Sequence, residues 1–500
     1  MKKSHKRTEF GDFQTPPELA EQVCALLTSM GISPASVLEP TCGRGSFLVT
    51  AAKAFSNSRK IVGLEINPQH AEYARQTLCR IETETHRKVI CADFFSFDWN
   101  PLVEQLPQPI LVIGNPPWVT NTQLGFLNST NLPFKSNFQS HRGIDAITGK
   151  GNFDISEYML RCAVDWLEGK NGTLAVLCKT VVARKILRQA WRRSIHIKRA
   201  SIYLIDANTY FDASVEACLL VIQFAPNSIC VECSLHPGLS ESSVSTFGFR
   251  NGHVVADVAK YEKWQCLETE ERGIWRSGIK HDCSRVMQLV REGPKYKNGL
   301  GESVDLEDDY LFPMLKSSDL ANQDIPKPRY YMLVPQRIVG EETNKIKYDA
   351  PKTWKYLNEH SAFLDQRHSS IYNNRPRFSI FGVGKYSFRP WKVGISGLYK
   401  KLAFRLVTPS HGRPVVLDDT CYFCSCANER EAHIIIELLD STAAKEFLTS
   451  FIFWDDKRPI TAELLDRLDL FALAKELGKL AEFISSTQKV AQRQTLLFDA

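Results

Sequence analysis

Four apolar runs in the first part of this chain each end on one polar residue that can accept hydrogen bonds. Ser36-Val37-Leu38 runs into Glu39, Lys60-Ile61-Val62-Gly63-Leu64 into Glu65, Val89-Ile90-Cys91-Ala92 into Asp93, and Ile110-Leu111-Val112-Ile113-Gly114 into Asn115. Short apolar runs that alternate with helix-length amphipathic segments are the pattern of buried strands in a layered sheet. The alternation holds from residue 15 to about 225 and predicts a doubly wound α/β domain. In such a sheet, ligands bind beyond the carboxyl ends of the strands. Four polar residues at successive strand ends therefore outline a site. Any one of them alone would read as a solvated loop residue.

The last of the four opens Asn115-Pro116-Pro117-Trp118. Two consecutive prolines fix φ and remove backbone donors. The Asn115 side-chain oxygen and the nearby carbonyls are left as stiff acceptors, with Trp118 as a flat face beside them. That set suits a planar group carrying an NH₂, whose nitrogen is a poor nucleophile until its lone pair is drawn out of conjugation. Accepting both N–H hydrogens does this. Upstream, Thr15-Pro16-Pro17-Glu18 opens a helix, with Thr15 as N-cap and Glu18 placed to close a capping box. Glu39-Pro40-Thr41-Cys42-Gly43-Arg44-Gly45 then gives strand, Gly-x-Gly turn and helix, a backbone turn that closes on a ligand at a helix N-terminus. The full dinucleotide glycine fingerprint is absent, and Glu39 would repel a pyrophosphate but accept from a cationic amine. Glu65 stands where a carboxylate holds ribose hydroxyls. Asp93 with Phe94 offers an acceptor and a ring for adenine.

These residues resemble the class I S-adenosylmethionine-dependent methyltransferases, and specifically the amino-methylating DNA methyltransferases of the gamma arrangement found in restriction–modification systems. The resemblance covers roughly residues 10–225 and rests on Gly11-Asp12-Phe13-Gln14-Thr15-Pro16-Pro17, Glu39 through Gly45, Glu65, Asp93-Phe94 and Asn115 through Trp118. It implies a Rossmann-like methyltransferase domain. Thr15, Glu39, Gly43 and Gly45 would surround the methionine part of the cofactor, Glu65 the ribose, and Asp93 with Phe94 the adenine. It also implies that Asn115 and the Pro116 carbonyl accept the amino hydrogens of a base extruded from the duplex. Pro117 would keep the loop stiff, Trp118 would stack, and Phe211 would brace the opposite face of the base. The resemblance favours adenine N6 as the target, because cytosine-amino enzymes of this group more often carry Ser at the position of Asn115. Two positions depart from the family: Arg44 between the glycines, and Leu177-Cys178-Lys179-Thr180, where a proline is common. The polar stretch 119–152 is expected to close over the target.

Composition limits the remainder. Five hundred residues imply two or three domains. The basic N-terminus lacks a following apolar segment, so it is not a secretion signal, and no apolar run approaches 18 residues. Fourteen scattered cysteines read as reduced thiols of a cytoplasmic protein, and no metal is expected. The cluster Cys421, Cys424, Cys426 could take His433 as a fourth zinc ligand, but its interleaved aromatics favour an ordinary strand.

The composition shifts toward Ser and Gly after residue 226. This divides the chain into a domain over 1–228, a linker over 229–255 and a mixed α+β domain over 256–500, and the resemblance implies that the first is the methyltransferase domain and the last the target-recognition domain. From Arg367 to Val416 there are ten Lys or Arg and no Asp or Glu, although the whole chain carries a net charge of only +6. Arg375, Arg377, Lys385, Arg389, Lys392, Lys400, Lys401 and Arg405 are assigned to double-stranded DNA. No nuclease pattern is present, so a cognate restriction endonuclease would be a separate chain. The rival readings are a glutamine-amide protein methyltransferase, which leaves the basic half unexplained, and a non-catalytic DNA-specificity subunit, which leaves Asn115 and Glu65 unexplained. Gln494-Thr495-Leu496-Leu497-Phe498 resembles a peptide that docks on the replication sliding clamp, with an apolar latch as the alternative. The expected setting is the bacterial or archaeal cytoplasm, at the nucleoid.

Overall fold

The computed structural model describes residues 14–82, 85–118, 154–271 and 273–487. The chain separates into two compact units, Met1–Val258 and Ala259–Ala500. Among the described residues no helix is long and apolar enough to cross a membrane.

The first unit is organised by a ten-stranded sheet: β1 (Ser36–Glu39), β2 (Lys60–Glu65), β3 (His86–Cys91), β4 (Ile110–Gly114), β5 (Gly172–Lys179), β6 (Ile197–Ile205), β7 (Ala217–Phe224), β8 (Glu232–His236), β9 (Ser245–Arg250) and β10 (His253–Val255). Their order across the sheet is β10-β9-β8-β6-β7-β5-β4-β1-β2-β3. β1 to β5 run parallel, and β7 is antiparallel between β5 and β6. Every residue of β1 and β4 is buried, as uninterrupted apolar runs require when both faces are covered. The chain leaves β1 toward β2 and β3, then returns to β4 on the other side. That reversal opens a crevice at the carboxyl ends of β1 and β4. Leu19, Val23 and Leu27 of the helix Pro17–Ser29 pack with Phe47 and Leu48 of the helix Ser46–Ala54 against one face. This is the doubly wound α/β fold that the sequence predicts.

Two local expectations are corrected. Residues 229–255, read as a linker, form β8, β9 and β10. β8 runs parallel to β6 and antiparallel to β9, which turns back into β10. The Ser- and Gly-rich run Pro237–Ser243 is the turn between β8 and β9, and Cys233, Phe247 and Val255 are buried. Thr15 does not cap the first helix. Pro16 occupies the cap position without a side-chain bond, because Pro17 at the first helical position starts the helix one residue later. The Thr15 carbonyl instead accepts from the Ser46 hydroxyl at 2.8 Å.

The second unit is mixed α+β, as expected. One sheet joins β11 (Trp275–Ser277), β20 (Cys421–Cys426), β17 (Trp391–Ser396) and β18 (Arg405–Val407) in that order. The other runs β14 (Ser303–Val304), β13 (Lys295–Asn298), β12 (Gln288–Glu292), β16 (Tyr330–Leu333), β15 (Leu311–Leu315), β19 (Val416–Leu417). Helices Glu429–Asp440 and Thr442–Thr449 bury Ile435, Leu438 and Phe447 against the four-stranded sheet, together with Cys424 and Cys426. Cys421 joins a separate core cluster with Leu320 and Phe423, as period-two alternation along a strand dictates. Gly278 crosses directly over β19 and its following turn: a Cβ there would lie 2.0 Å from the Asp418 carbonyl oxygen and 2.4 Å from that of Leu417. Gly278→Ala is therefore expected to destabilise this unit by roughly 1–3 kcal/mol. Thermal unfolding tests this, and an unchanged midpoint would contradict the close approach.

Candidate active site

The crevice begins with Glu39, which is 3% exposed at the end of β1. Burial pushes its carboxyl well above the usual carboxylate range. An amide hydrogen bond from Leu48 offsets part of that rise, and the charge of Glu65 adds to it. The next turn is held by Glu65. Its Oε2 accepts from the Gly43 amide and its Oε1 from the Asn67 amide, both at 2.8 Å. Gly43 and Gly45 take φ of 52° and 84°, left-handed values that disfavour other residues. A Cβ on Gly43 would also meet Gln14 Oε1 at 2.6 Å, the same atom that accepts from the Arg44 amide at 3.0 Å. The Arg44 side chain, one of the two departures from the family, points outward over the Tyr73 ring at 5.6 Å. At the end of β3, Asp93 Oδ1 accepts from the Phe95 amide at 3.1 Å. Phe94 is buried against Trp99 and Trp166, with centroids at 5.1 and 6.0 Å, whereas Phe95 is only half-buried.

β4 delivers the Asn-Pro-Pro-Trp loop to the same edge. A Cβ on Gly114 would lie 3.4 Å from Glu39 Cγ, so the missing side chain lets the β1 carboxylate pack against the backbone just before Asn115. Asn115 and Pro117 are half-buried, and Pro116 and Trp118 buried. The Trp118 indole donates to the Leu177 carbonyl at 3.3 Å. Phe211 ends the short helix Ala207–Phe211, whose start is capped by Asp206. The structure brings Trp118 and Phe211 together, but not as the two parallel walls expected. Their rings meet edge to face at 5.2 Å and 72°. Both are buried, and edge-to-face contact is the favoured packing for two such rings. Sequence reading also missed the roles of Lys179 and Asp154. Lys179 Nζ donates to the Trp118 carbonyl at 3.0 Å and pairs with Asp154 at 2.6 Å. The one signal was the departure at Lys179 itself.

The N-6 DNA methylase family matches residues 2–225. Over 470 residues the chain is 46% identical to the type II methyltransferase M.NspV of Nostoc sp. (strain ATCC 29411 / PCC 7524), covering 94% of this chain and 98% of that one. The chain belongs to the type II methyltransferases. A shorter match to the type II methyltransferase M.CvrRI of Paramecium bursaria Chlorella virus XZ-6E is 35% identical over 115 residues, 23% of this chain and 26% of the other. Among solved structures, the type IIL restriction–modification enzyme MmeI in complex with DNA aligns with a TM-score of 0.47 and 12% identity, over 94% of this chain and 75% of that one.

The cofactor of this methyltransferase is S-adenosylmethionine, and the crevice fits it. Glu39 Oε2 and Thr41 Oγ1 are both buried without a hydrogen-bond partner beside the glycine turn. Buried polar atoms are normally satisfied, so two such atoms at one turn suit a bound group rich in donors.

In the second unit the basic stretch divides into two kinds of side chain. Arg375, Lys385, Lys400 and Lys401 are exposed and Arg389 is half-buried. Arg377 pairs with Asp365 at 2.7 Å, and Arg405 donates to the Asn322 and Phe404 carbonyls. Lys392 is corrected outright. It is fully buried, its Nζ donates to the Arg389 and Val415 carbonyls at 2.5 and 2.9 Å, and burial lowers its pKa to about 7. β17 is buried on both faces from Lys392 to Ser396, so the Lys392 side chain has no exposed face on which to lie. The stretch 119–152 and the peptide 494–498 lie outside the described residues.

Because Glu65 secures two backbone amides, Glu65→Ala is expected to lower thermal stability as well as cofactor affinity. Each lost charged hydrogen bond is worth roughly 1.5–3 kcal/mol. Scanning calorimetry paired with cofactor titration checks both, and a variant that loses affinity with an unchanged melting temperature would contradict the bracing role.

Proposed function

We propose that this chain methylates the N6 amine of an adenine extruded from a specific sequence of duplex DNA. The observation that carries the reading is the Asn115-Pro116-Pro117-Trp118 loop, fixed at the crevice edge beside the buried carboxyl of Glu39. When bound, S-adenosylmethionine supplies a methyl group on a sulfonium, which makes the carbon electrophilic. The Asn115 side-chain oxygen and the Pro116 carbonyl accept the two amino hydrogens, so the nitrogen lone pair turns toward attack. Transfer would break the carbon–sulfur bond, its electron pair returning to sulfur as a neutral thioether, and the methylated amine would release one proton to solvent. Trp118 offers its face to the base, and Phe211 braces the other side after the edge-to-face contact opens. Glu39 and Thr15 serve the methionine part, with Gly43 and Gly45 allowing close backbone approach. Glu65 takes the ribose with the lone pairs not used by Gly43 and Asn67. Asp93 and Phe94 serve the adenine of the cofactor.

Alignment of the reactants is the main contribution of these residues. The second unit supplies sequence recognition, with Arg375, Lys385, Arg389, Lys400 and Lys401 on phosphates or base edges, and Arg377 and Arg405 as secondary contacts. A cognate restriction endonuclease, where the system has one, is a separate chain, and for the 494–498 peptide docking on a sliding clamp and an apolar latch stay as alternatives. The enzyme works in the cytoplasm, at the nucleoid.

Incubation with labelled cofactor and unmodified genomic DNA, followed by nucleoside analysis, should place the label in N6-methyladenine. Label in N4-methylcytosine, or none in DNA, overturns the reading. Asn115→Ala should abolish turnover and leave cofactor affinity unchanged. For the DNA surface, Lys400→Ala with Lys401→Ala should flatten the dependence of log affinity on log salt by about 1.8, two phosphates at about 0.9 each. Lys392→Met should leave that slope alone, and the reverse pattern would reassign the surface.

A further inference from the structure

We propose that Lys179 is a positioning residue that sets where Asn115 stands, by tying together the two ends of the segment that follows the Asn-Pro-Pro-Trp loop. The inference rests on the proposal that this loop is catalytic. Trp118 is the last described residue before that segment, and Asp154 is the first after it. One ammonium group reaches both: Lys179 Nζ donates to the Trp118 carbonyl at 3.0 Å and to Asp154 Oδ2 at 2.6 Å. Asp154 is buried and anchored in its own right. Its Oδ1 accepts from the Ser156 amide at 3.0 Å and the Ser156 hydroxyl at 2.5 Å, capping the helix Ile155–Leu167. Trp118 is held a second time by β5, through its indole and the Leu177 carbonyl at 3.3 Å.

The register explains why β5 can do this. Gly114, the last residue of β4, stands opposite Val176, and β5 continues through Leu177 to Lys179 beside the loop that leaves β4. The tie is transmitted because Pro116 and Pro117 separate Trp118 from Asn115, and proline fixes φ at each step. A shift of the Trp118 carbonyl therefore moves the Asn115 carboxamide, where a more flexible linker would absorb it. Lys179 touches neither base nor cofactor in this account. Its ammonium fixes the loop and offsets the buried charge of Asp154.

The test compares full-length Lys179→Met, Lys179→Arg and Asn115→Ala with the wild type, using unmodified genomic DNA and labelled S-adenosylmethionine. Lys179→Met should lower kcat by about 10- to 100-fold, the range expected when a catalytic group is misplaced by up to 1 Å. Cofactor affinity by calorimetry should stay within about twofold. Lys179→Arg keeps the charge and the donors and should recover most of the rate. If Lys179→Met does not fold, Lys179→Gln is too short to reach both partners and carries the same expectation. A methionine or glutamine variant with wild-type kcat, alongside an inactive Asn115→Ala, overturns the positioning role. So does a parallel loss of cofactor affinity, or no recovery with arginine. An active Asn115→Ala instead overturns the catalytic reading of the loop, whatever Lys179 does.

Discussion

The carboxylate of Glu65 is the junction on which the crevice depends. Its two oxygens hold the Gly43 and Asn67 amides, so one side chain fixes the turns after both β1 and β2. Carboxylate-to-amide bonds are strong for their size, and here they fix the left-handed backbone of Gly43. With that turn fixed, the helix Ser46–Ala54 starts where its Leu48 amide reaches Glu39. The helix N-terminus favours negative charge there, but burial opposes it more strongly, and Glu39 shifts toward its protonated form. The two carboxyl groups thus divide their work. Glu65 is satisfied by backbone and stiffens the floor, whereas Glu39 keeps one oxygen without a partner.

Much of this was legible in the sequence because buried parallel strands leave an unambiguous trace. Glu39, Glu65 and Asn115 fall at strand ends as the apolar runs predict, and the Gly-x-Gly turn sits where strand gives way to helix. The second halves of the elements were harder to read. Thr15 looks like an N-cap, but proline geometry moves the helix start by one residue. Residues 229–255 look like a linker because Ser and Gly dominate the β8–β9 turn, while the strands on either side bury few large side chains. Phe94 precedes Phe95 in an unbroken polar-to-aromatic run, and nothing in that run tells which ring goes under Trp99. The Trp118–Phe211 contact and the Lys179 tie join residues 93 and 61 positions apart. No local pattern encodes either.

The basic stretch shows why charge counted along a sequence misleads. An acid-free run suggests cations without partners, yet several of these are neutralised or satisfied by groups that a charge count ignores. Arg367 donates to the Leu364, His281 and Ser379 carbonyls, Arg413 to those of Leu311 and Asp308, and Lys392 to those of Arg389 and Val415. Backbone carbonyls do here what carboxylates do elsewhere. Arg367 also lies 3.8 Å over the Tyr372 ring, so the interleaved aromatics serve in part to pack guanidinium groups.

The surface proposed for DNA is correspondingly narrower. The turn after β17 carries Leu398, Tyr399, Lys400 and Lys401, all exposed. Its base is rigid: the Ser396 hydroxyl accepts from the Leu398 and Tyr399 amides at 3.3 and 3.2 Å and meets the Ser317 hydroxyl at 2.7 Å. Gly397 allows the tight exit from the strand, since a Cβ there would strike the Tyr422 ring at 2.6 Å. At the other end of the same strand the buried Lys392 holds the Arg389 and Val415 carbonyls. One lysine of the acid-free run thus serves the strand itself, while two others stand in solvent beyond its far end. A rigid base lowers the entropy lost when a loop is ordered on a ligand, so a short turn with two cations and one exposed aromatic ring can contribute more than its charge alone.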